Sequence, residues 1–557
     1  MLEKQKIHEE TVGAQIARYL ADIGVKTVFG VISIHNMPIL DAIATQNRIR
    51  FVPARGEAGA MNMADAYARV SQSLGVVITS TGTAAGNAAG AQVEALTAGT
   101  PLLHITTQID REFVDRDRAA IHDVPKQPDM LKGVSKRYFR MWDKSQTIGS
   151  LEAAVSAAVS APTGPVSLEV PVDIQRELVF STLPFFPKCG LNHPVNQEQI
   201  SILVDKICQA KRPMLWLGGG ARNAKAQVSE LVDRGFCAVT STQGRGVIEE
   251  GHPSSLGAYN MTPEAQEIYK NSDLMIVVGS KLRGNETCNN KMPLPQPLIQ
   301  IDADASQGGR NYSIDMLIHG DAKEVLSALL DSLPEQLDVD ISFVADVKAA
   351  RKNSESKLLN SLGPYAIVAQ DLDSRVQSGG HPWVRDVTIS NSTFGNRYVH
   401  IAAPNLGVHA LGGGIGQGIS MGIGAALAKP EVKTITILGD GGAMLGIAEL
   451  ITAVDEEANV VYVLMNDQAY GVIENIQDVQ YQGRRHYSAL KTPDFSELCQ
   501  SIGMPHVLVR GIESFAPTLD QLLKQNGPQV LEVDMNHIGP FSEVFSGPPA
   551  GAAGNGD

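Results

Sequence analysis

The stretch TITILGDGGAMLGIAELITAVDEEANVVYVLMNDQAYG, residues 434–471, decides the fold. An apolar run ends in Gly439-Asp440-Gly441, a helical pattern follows, and a second apolar run ends in Asn466-Asp467. This reads as a complete βαβ crossover, and the continuous apolar runs predict strands covered on both faces, hence a parallel sheet. Both turns then emerge at the carboxyl edge, where open α/β sheets take their ligands. Neighbouring strands lie about 4.8 Å apart, so Asp440 and Asp467 converge on one cation if their strands are adjacent or nearly so. Carboxylates with backbone carbonyls and water form the hard oxygen set that Mg²⁺ or Ca²⁺ demands. Gly441 and Gly442 let backbone approach closely, and the helix starting there aims free N–H groups at an anion. Together these features describe a diphosphate site. Either turn alone is ordinary loop chemistry, since Asp-Gly is common in turns; their joint placement on one crossover favours the functional reading.

The same pattern extends along the chain. Strands are predicted at KTVFGV, LGVVITST, PLLHIT and PVSLEVPVD in the first 180 residues, and at PMLWLGGGA, DLMIVVGS and PLIQIDAD in the middle. The last third contributes DVTISNS, TITILGD, VVYVLMND and PQVLEVDM. The expected class is α/β, with three doubly wound parallel-sheet domains at 1–180, 195–335 and 360–540. The proline-bearing stretch 181–196 reads as a linker, and GPPAGAAGNGD (547–557) as a mobile tail or a lid.

Composition narrows the class. The 557 residues are 43% hydrophobic and 19% charged, with 53 glycines but only 14 Phe, 12 Tyr and 3 Trp. That balance suits Ala-, Val- and Gly-rich α/β layers. A net charge of −14 argues against nucleic acid, though a local metal site can still hold an anionic cofactor. Five scattered cysteines (Cys189, Cys208, Cys237, Cys288, Cys499) show no CxxC spacing, so neither a disulfide framework nor a zinc site is expected. The first twenty residues read as a charged amphipathic helix rather than a leader, and no run of 18 apolar residues occurs. A cytoplasmic location is expected.

The GDG…ND pattern resembles the diphosphate–Mg²⁺ motif of thiamine diphosphate enzymes, specifically the 2-oxo acid decarboxylase and acetolactate synthase superfamily. The resemblance covers essentially the whole chain, with pyrimidine-binding, central and diphosphate-binding domains in that order. It implies that Asp440, Asp467 and the backbone carbonyl of Ala469 hold the metal; many members have Asn where Asp467 stands. In PARGEAGAMNMADAYAR, Glu57 matches the family glutamate beside the cofactor's aminopyrimidine. A carboxyl group in apolar surroundings would share a proton with that ring; the plainer reading is a helix-start glutamate facing the dipole or Arg55. In HALGGGIGQGISMGIGAALA (409–428), the resemblance places Ile415 under the cofactor and the Gly413 carbonyl at its amino group. Ser392 and Thr393, after the DVTISNS strand, are candidates for a phosphate oxygen. No GxGxxG fingerprint occurs here or at Leu217-Gly218-Gly219-Gly220.

The substrate end is less defined. Comparison with benzoylformate decarboxylases puts Ile34 and Ser80 where those enzymes have a serine and a histidine. The adjacent His-His pair of pyruvate decarboxylases is missing. His35 is a candidate replacement base, and His122, beside Asp123, a second candidate; each is equally readable as a polar loop residue. Gln108 matches the acetolactate synthase glutamine that approaches the cofactor, and Val472 and Ile473 match pocket-lining positions. In the central domain, Leu217–Arg222 and Gly279–Arg283 are possible contacts for FAD or an adenine nucleotide, though an empty domain is favoured.

The resemblance therefore implies a thiamine diphosphate- and Mg²⁺-dependent lyase or carboligase for a small 2-oxo acid, acetolactate synthase-like, releasing CO₂ and forming a 2-hydroxy ketone. Alternatives are a benzoylformate-type decarboxylase releasing an aldehyde, a 2-hydroxyacyl-CoA lyase, and a non-catalytic cofactor-binding homologue. Cofactor sharing between subunits implies a homodimer at minimum and commonly a homotetramer.

Overall fold

The computed structural model describes residues 9–180, 184–186 and 193–545. The tail 547–557, most of the 181–196 stretch and Cys189 lie outside the described residues. Three parallel sheets carry the architecture. The first contains β1 (Thr27–Gly30), β2 (Arg50–Pro53), β3 (Gly75–Thr79), β4 (Leu102–Gln108), β5 (Arg137–Arg140) and β6 (Pro165–Pro171), in the order 2-1-3-4-6-5. The second contains β7 (Pro213–Leu217), β8 (Cys237–Thr240), β9 (Leu274–Val278), β10 (Leu298–Asp302) and β11 (Met316–His319), in the order 8-7-9-10-11. The third contains β12 (Trp383–Arg385), β13 (Gly407–His409), β14 (Thr434–Gly439), β15 (Val460–Asn466), β16 (His506–Val509) and β17 (Gln529–Asp534), in the order 13-12-14-15-17-16. Every residue of β3, β4, β6, β7 and β9 is buried, as continuous apolar strands covered on both faces must be.

The second order reverses once and the first and third twice, and ligands of doubly wound sheets bind beside such a reversal. In the first sheet one reversal lies between β1 and β3, flanked by the loops that carry His35 and Ser80. In the third the matching one lies between β12 and β14, flanked by Thr388 and Asp440.

The described residues fall into two compact units. Those up to 186 group with Ala410–Glu431 and Leu445–Val460; those from 193 to His409 group with Val432–Met444 and the chain from Val461 onward. Within the first unit, helices α1 (Val12–Asp22), α2 (Glu57–Ser71) and α3 (Thr83–Ala98) surround the sheet. Thr11 caps α1 by accepting the Ala14 N–H at 3.1 Å. Helix α4 (Gly418–Ala428) packs on α2 through small residues: a Cβ on Gly424 would fall 2.1 Å from the Met63 carbonyl oxygen. Only glycine permits that backbone approach.

Two expectations are corrected. DVTISNS is not a strand: pairing ends when the Asp386 N–H donates to the Ile437 carbonyl at 2.9 Å. The Asp386 carboxylate then takes the Val387 N–H at 2.7 Å, and a helical turn spans Asn391–Gly395. The crossover helix is also two helices, α5 (Asp440–Gly446) and α6 (Glu449–Asp455), separated at 447–448. At the break, a Cβ on Gly446 would sit 2.9 Å from the Gly416 carbonyl oxygen.

In the second unit, the buried Arg245 guanidinium donates to both oxygens of Glu250, at 2.7 and 2.6 Å, and to the carbonyl of Gly395 at 3.3 Å. This joins residues of the 195–335 stretch to the segment after β12 without leaving a buried charge unpaired.

Candidate active site

β14 and β15 are hydrogen-bonded neighbours, so Asp440 and Asp467 leave adjacent strands at the same edge. Asp440 is buried, and neither of its carboxyl oxygens reaches a hydrogen-bond partner. Burial, with the Asp467 charge adding to it, pushes Asp440 up to about 7; burial also raises Asp467. Asp467 accepts only the Ala469 N–H, at 3.3 Å; two neighbouring buried carboxyl groups so short of donors are unfavourable alone and suited to a divalent cation. Among the described residues no group of three or more His, Cys, Asp or Glu side chains could hold a metal. Two carboxylates, completed by backbone oxygen and non-protein ligands, would make a donor set that fits Mg²⁺.

The backbone at Ala469 is fixed from both sides. Gln468 adopts a left-handed conformation at φ 56°, and its N–H donates to the Asn466 side-chain oxygen at 3.1 Å. The Asn466 NH₂ group donates to Glu532 at 2.6 Å. The returning chain closes an antiparallel bridge between Ala469 and Ala489, with Tyr470 N–H to Ser488 O and Leu490 N–H to Gln468 O both at 2.8 Å. Gly471 leaves room for the Asp467 carboxylate, from whose oxygen a Cβ would lie 2.3 Å. Gly441 serves the fold in the same way, since a Cβ there would meet the Tyr470 ring at 2.6 Å. Gly442 is buried in α5. A cavity of about 280 Å³ opens beside Asp467 and Ala469, lined also by Glu474, Arg485 and Asn536.

Of the phosphate candidates, Thr393 donates its hydroxyl back to Ile389 O at 2.8 Å, while Ser392 is half-buried in the same turn. The buried hydroxyl of Ser390, two residues earlier, has no partner, and Thr388 sits beside Gly439, where a Cβ would be 3.0 Å from its hydroxyl oxygen. Sequence reasoning passed over both because it took this stretch for a strand.

In the first unit Glu57 opens α2 and is half-buried; the Asn87 amide donates to it at 3.1 Å. Arg55 pairs with Asp455 instead of Glu57. Gln108 ends β4, buried, its side-chain oxygen accepting the Thr81 hydroxyl and the Ile109 N–H, each at 2.9 Å. Gln127 pins the neighbouring loop by accepting the Gly82 N–H at 2.6 Å and the Thr81 hydroxyl at 3.0 Å.

Beside this loop lies an arrangement the sequence did not disclose. The rings of His35 and His122 meet edge-to-face with centroids 5.2 Å apart, and His35 Nδ1 is 3.3 Å from the Ser80 hydroxyl. No two histidines are adjacent in the chain, yet the fold assembles a pair. His122 is exposed, at φ 67°, and its carbonyl oxygen would lie 2.4 Å from a Cβ on Gly82. Burial, and the nearby His122, hold the buried His35 below its ordinary value.

Gly413 has φ +79° with open space around its Cα, and Ile415 is 37% exposed. In the second unit the loops after β7 and β9 pack on each other, with Gly220 N–H donating to Gly279 O at 3.0 Å. A Cβ on Gly220 would fall 2.8 Å from the Gly279 Cα, so these glycines serve a backbone contact.

Comparison with known proteins agrees with this geometry. Residues 10–130 match the thiamine pyrophosphate enzyme N-terminal TPP binding domain, 200–329 the central domain and 389–533 the C-terminal TPP binding domain. The chain is 27% identical to a probable 2-ketoarginine decarboxylase of Pseudomonas aeruginosa over 533 residues, covering 94% of each. It is 26% identical to the acetolactate synthase isozyme 1 large subunit of Escherichia coli over 552 residues, 97% of this chain and 96% of that one. The mitochondrial acetolactate synthase catalytic subunit of Saccharomyces cerevisiae is 24% identical, covering 94% of this chain and 80% of its own. With both TPP-binding domains and the central domain present in family order, the chain belongs to the thiamine pyrophosphate enzymes, in the superfamily of 2-oxo acid decarboxylases and acetolactate synthases.

Proposed function

We propose that the protein is a thiamine diphosphate- and Mg²⁺-dependent lyase and carboligase that removes CO₂ from a small 2-oxo acid and joins the remaining acyl unit to a second carbonyl compound. The observation that carries this reading is Asp440: a buried carboxyl group, neither oxygen hydrogen-bonded, next to a second carboxyl group at a sheet edge. Asp440, Asp467 and the Ala469 carbonyl would hold the metal, and Thr388, Ser390, Ser392 and Thr393 border the diphosphate. Glu57 would bind the cofactor's aminopyrimidine nitrogen and hold the proton that switches its tautomer. Gly413 and Ile415 would shape the cofactor, and Gln108 would orient the substrate carbonyl. The cofactor, when bound, supplies an electron sink for the carbon–carbon cleavage. We further propose a homodimer or homotetramer in which two copies share each cofactor, domain boundaries at 180–195 and 335–360, and a cytoplasmic location.

A second reading is an aldehyde-releasing decarboxylase, favoured by the His35–His122 pair. A buried His35 hydrogen-bonded to Ser80, with the exposed His122 ring against it, forms a path from the loop to solvent along which a proton could move. Incubating the purified protein with a panel of 2-oxo acids, thiamine diphosphate and Mg²⁺, then separating ketols from aldehydes, distinguishes the two. No CO₂ from any 2-oxo acid would refute both. A visible absorption spectrum tests for FAD in the central domain.

A further inference from the structure

We propose that Glu94 is a positioning residue that holds the backbone of Ala410–Gly416 in the shape that presents Gly413 and Ile415 to the cofactor; this rests on the reading of that segment given above. Glu94 lies on α3, fully buried. One of its oxygens accepts the Leu411 N–H at 2.8 Å and the other the Gly412 N–H at 2.6 Å. A Cβ on Gly412 would come within 2.9 Å of the second oxygen, so glycine is what admits the carboxylate. Arg69 supports Glu94 from behind, donating to it at 2.9 Å, and is itself bound by Asp65 at 2.6 Å and the Thr100 hydroxyl at 3.2 Å.

Two carboxylates, Asp65 and Glu94, face the single buried Arg69, so either can balance its charge; Glu94 alone also answers two peptide N–H groups, a charge-assisted contact stronger than a neutral one. The contacts of Glu94 itself end at Gly412, and the Gly413 N–H turns back to the Ala410 carbonyl at 3.2 Å. At Gly413 the chain takes positive φ with open space around it, and at Ile415 it exposes a large apolar side chain. A run of glycines has few side-chain anchors of its own and a large conformational entropy to lose. Fixing its first two amides reduces what cofactor binding must order.

The test uses the full-length apoprotein and three variants: Glu94→Gln, Asp65→Asn and Ile415→Ala. In Glu94→Gln an NH₂ group replaces one acceptor, while the Arg69–Asp65 pair keeps the core neutral. Asp65→Asn disturbs the same arginine without touching Leu411 or Gly412. Thiamine diphosphate with Mg²⁺ is titrated calorimetrically, and amide hydrogen exchange over 410–416 is followed without cofactor. We expect Glu94→Gln to weaken binding about tenfold or more and to speed exchange in that segment, with Asp65→Asn close to wild type in both. Equal effects of the two variants would reduce Glu94 to a member of the ion cluster and overturn the proposal. If Ile415→Ala weakens binding and Glu94→Gln does not, the proposal alone fails; if neither does, the reading of the segment fails and takes the proposal with it.

Discussion

The carboxylate of Glu449 accepts the backbone N–H of Gly56, the residue before Glu57, at 3.0 Å. It also accepts the Arg55 N–H at 3.1 Å and the Thr452 hydroxyl at 2.7 Å. A Cβ on Gly59 would fall 2.1 Å from it, so the first turn of α2 is closed around this carboxylate. Glu449→Ala should strand two N–H groups at a helix start, costing about 1–3 kcal/mol. Thermal unfolding checks the loss, and turnover at saturating cofactor should fall beyond what stability explains, because Glu57 is displaced.

Glu57→Gln keeps the shape and the Asn87 contact but removes the exchangeable proton. Turnover should drop by about 10²–10⁴, the usual worth of a general acid–base group, with thiamine diphosphate still binding. Unchanged turnover in a cofactor-saturated assay would show that Glu57 takes no part in activation.

Mg²⁺ with thiamine diphosphate should raise the unfolding temperature of the wild type, since a ligand at 100 times its Kd adds about 2.7 kcal/mol. Asp440→Ala should abolish that shift; Asp467→Asn, which keeps an oxygen ligand, should retain most of it. Chelation by EDTA should reverse the shift in the wild type.

His35 contributes to the pH dependence of stability. Its pKa in the fold is depressed by burial below the ordinary 6.5, so the unfolded chain binds the proton more readily. Stability therefore rises with pH across the window between the folded value and 6.5, and is lost as pH falls through it. Asp110, whose charge favours the protonated ring, and Arg176, which opposes it, face the same group. His35→Gln should flatten the unfolding temperature against pH below 6.5. A slope equal to the wild type's would place the acid lability elsewhere.

Local patterning foretold much of this. The apolar runs located ten strands, and the Gly-Asp-Gly and Asn-Asp turns marked the edge where Asp440 and Asp467 meet. Local reading failed where a long-range partner decides. DVTISNS has β-branched residues enough for a strand, but the Asp386 carboxylate captures the next N–H and ends it. His35 and His122 stand 87 positions apart on separate loops, and no periodicity announces that their rings touch. Glu94 and Glu449 look like surface acids in helical patterns; only the fold reveals that their partners are peptide N–H groups hundreds of residues away.

The bridge between Ala469 and Ala489 brings the two ends of the excursion 471–488 together on the scaffold. Drift in the Arg484–Tyr487 tip, where Tyr487 is wholly solvent-exposed, can be absorbed before it reaches Ala469. The tip of this excursion is thus the natural place for a lineage, or a protein engineer, to exchange sequence in search of new substrates while leaving Asp467 and Ala469 undisturbed.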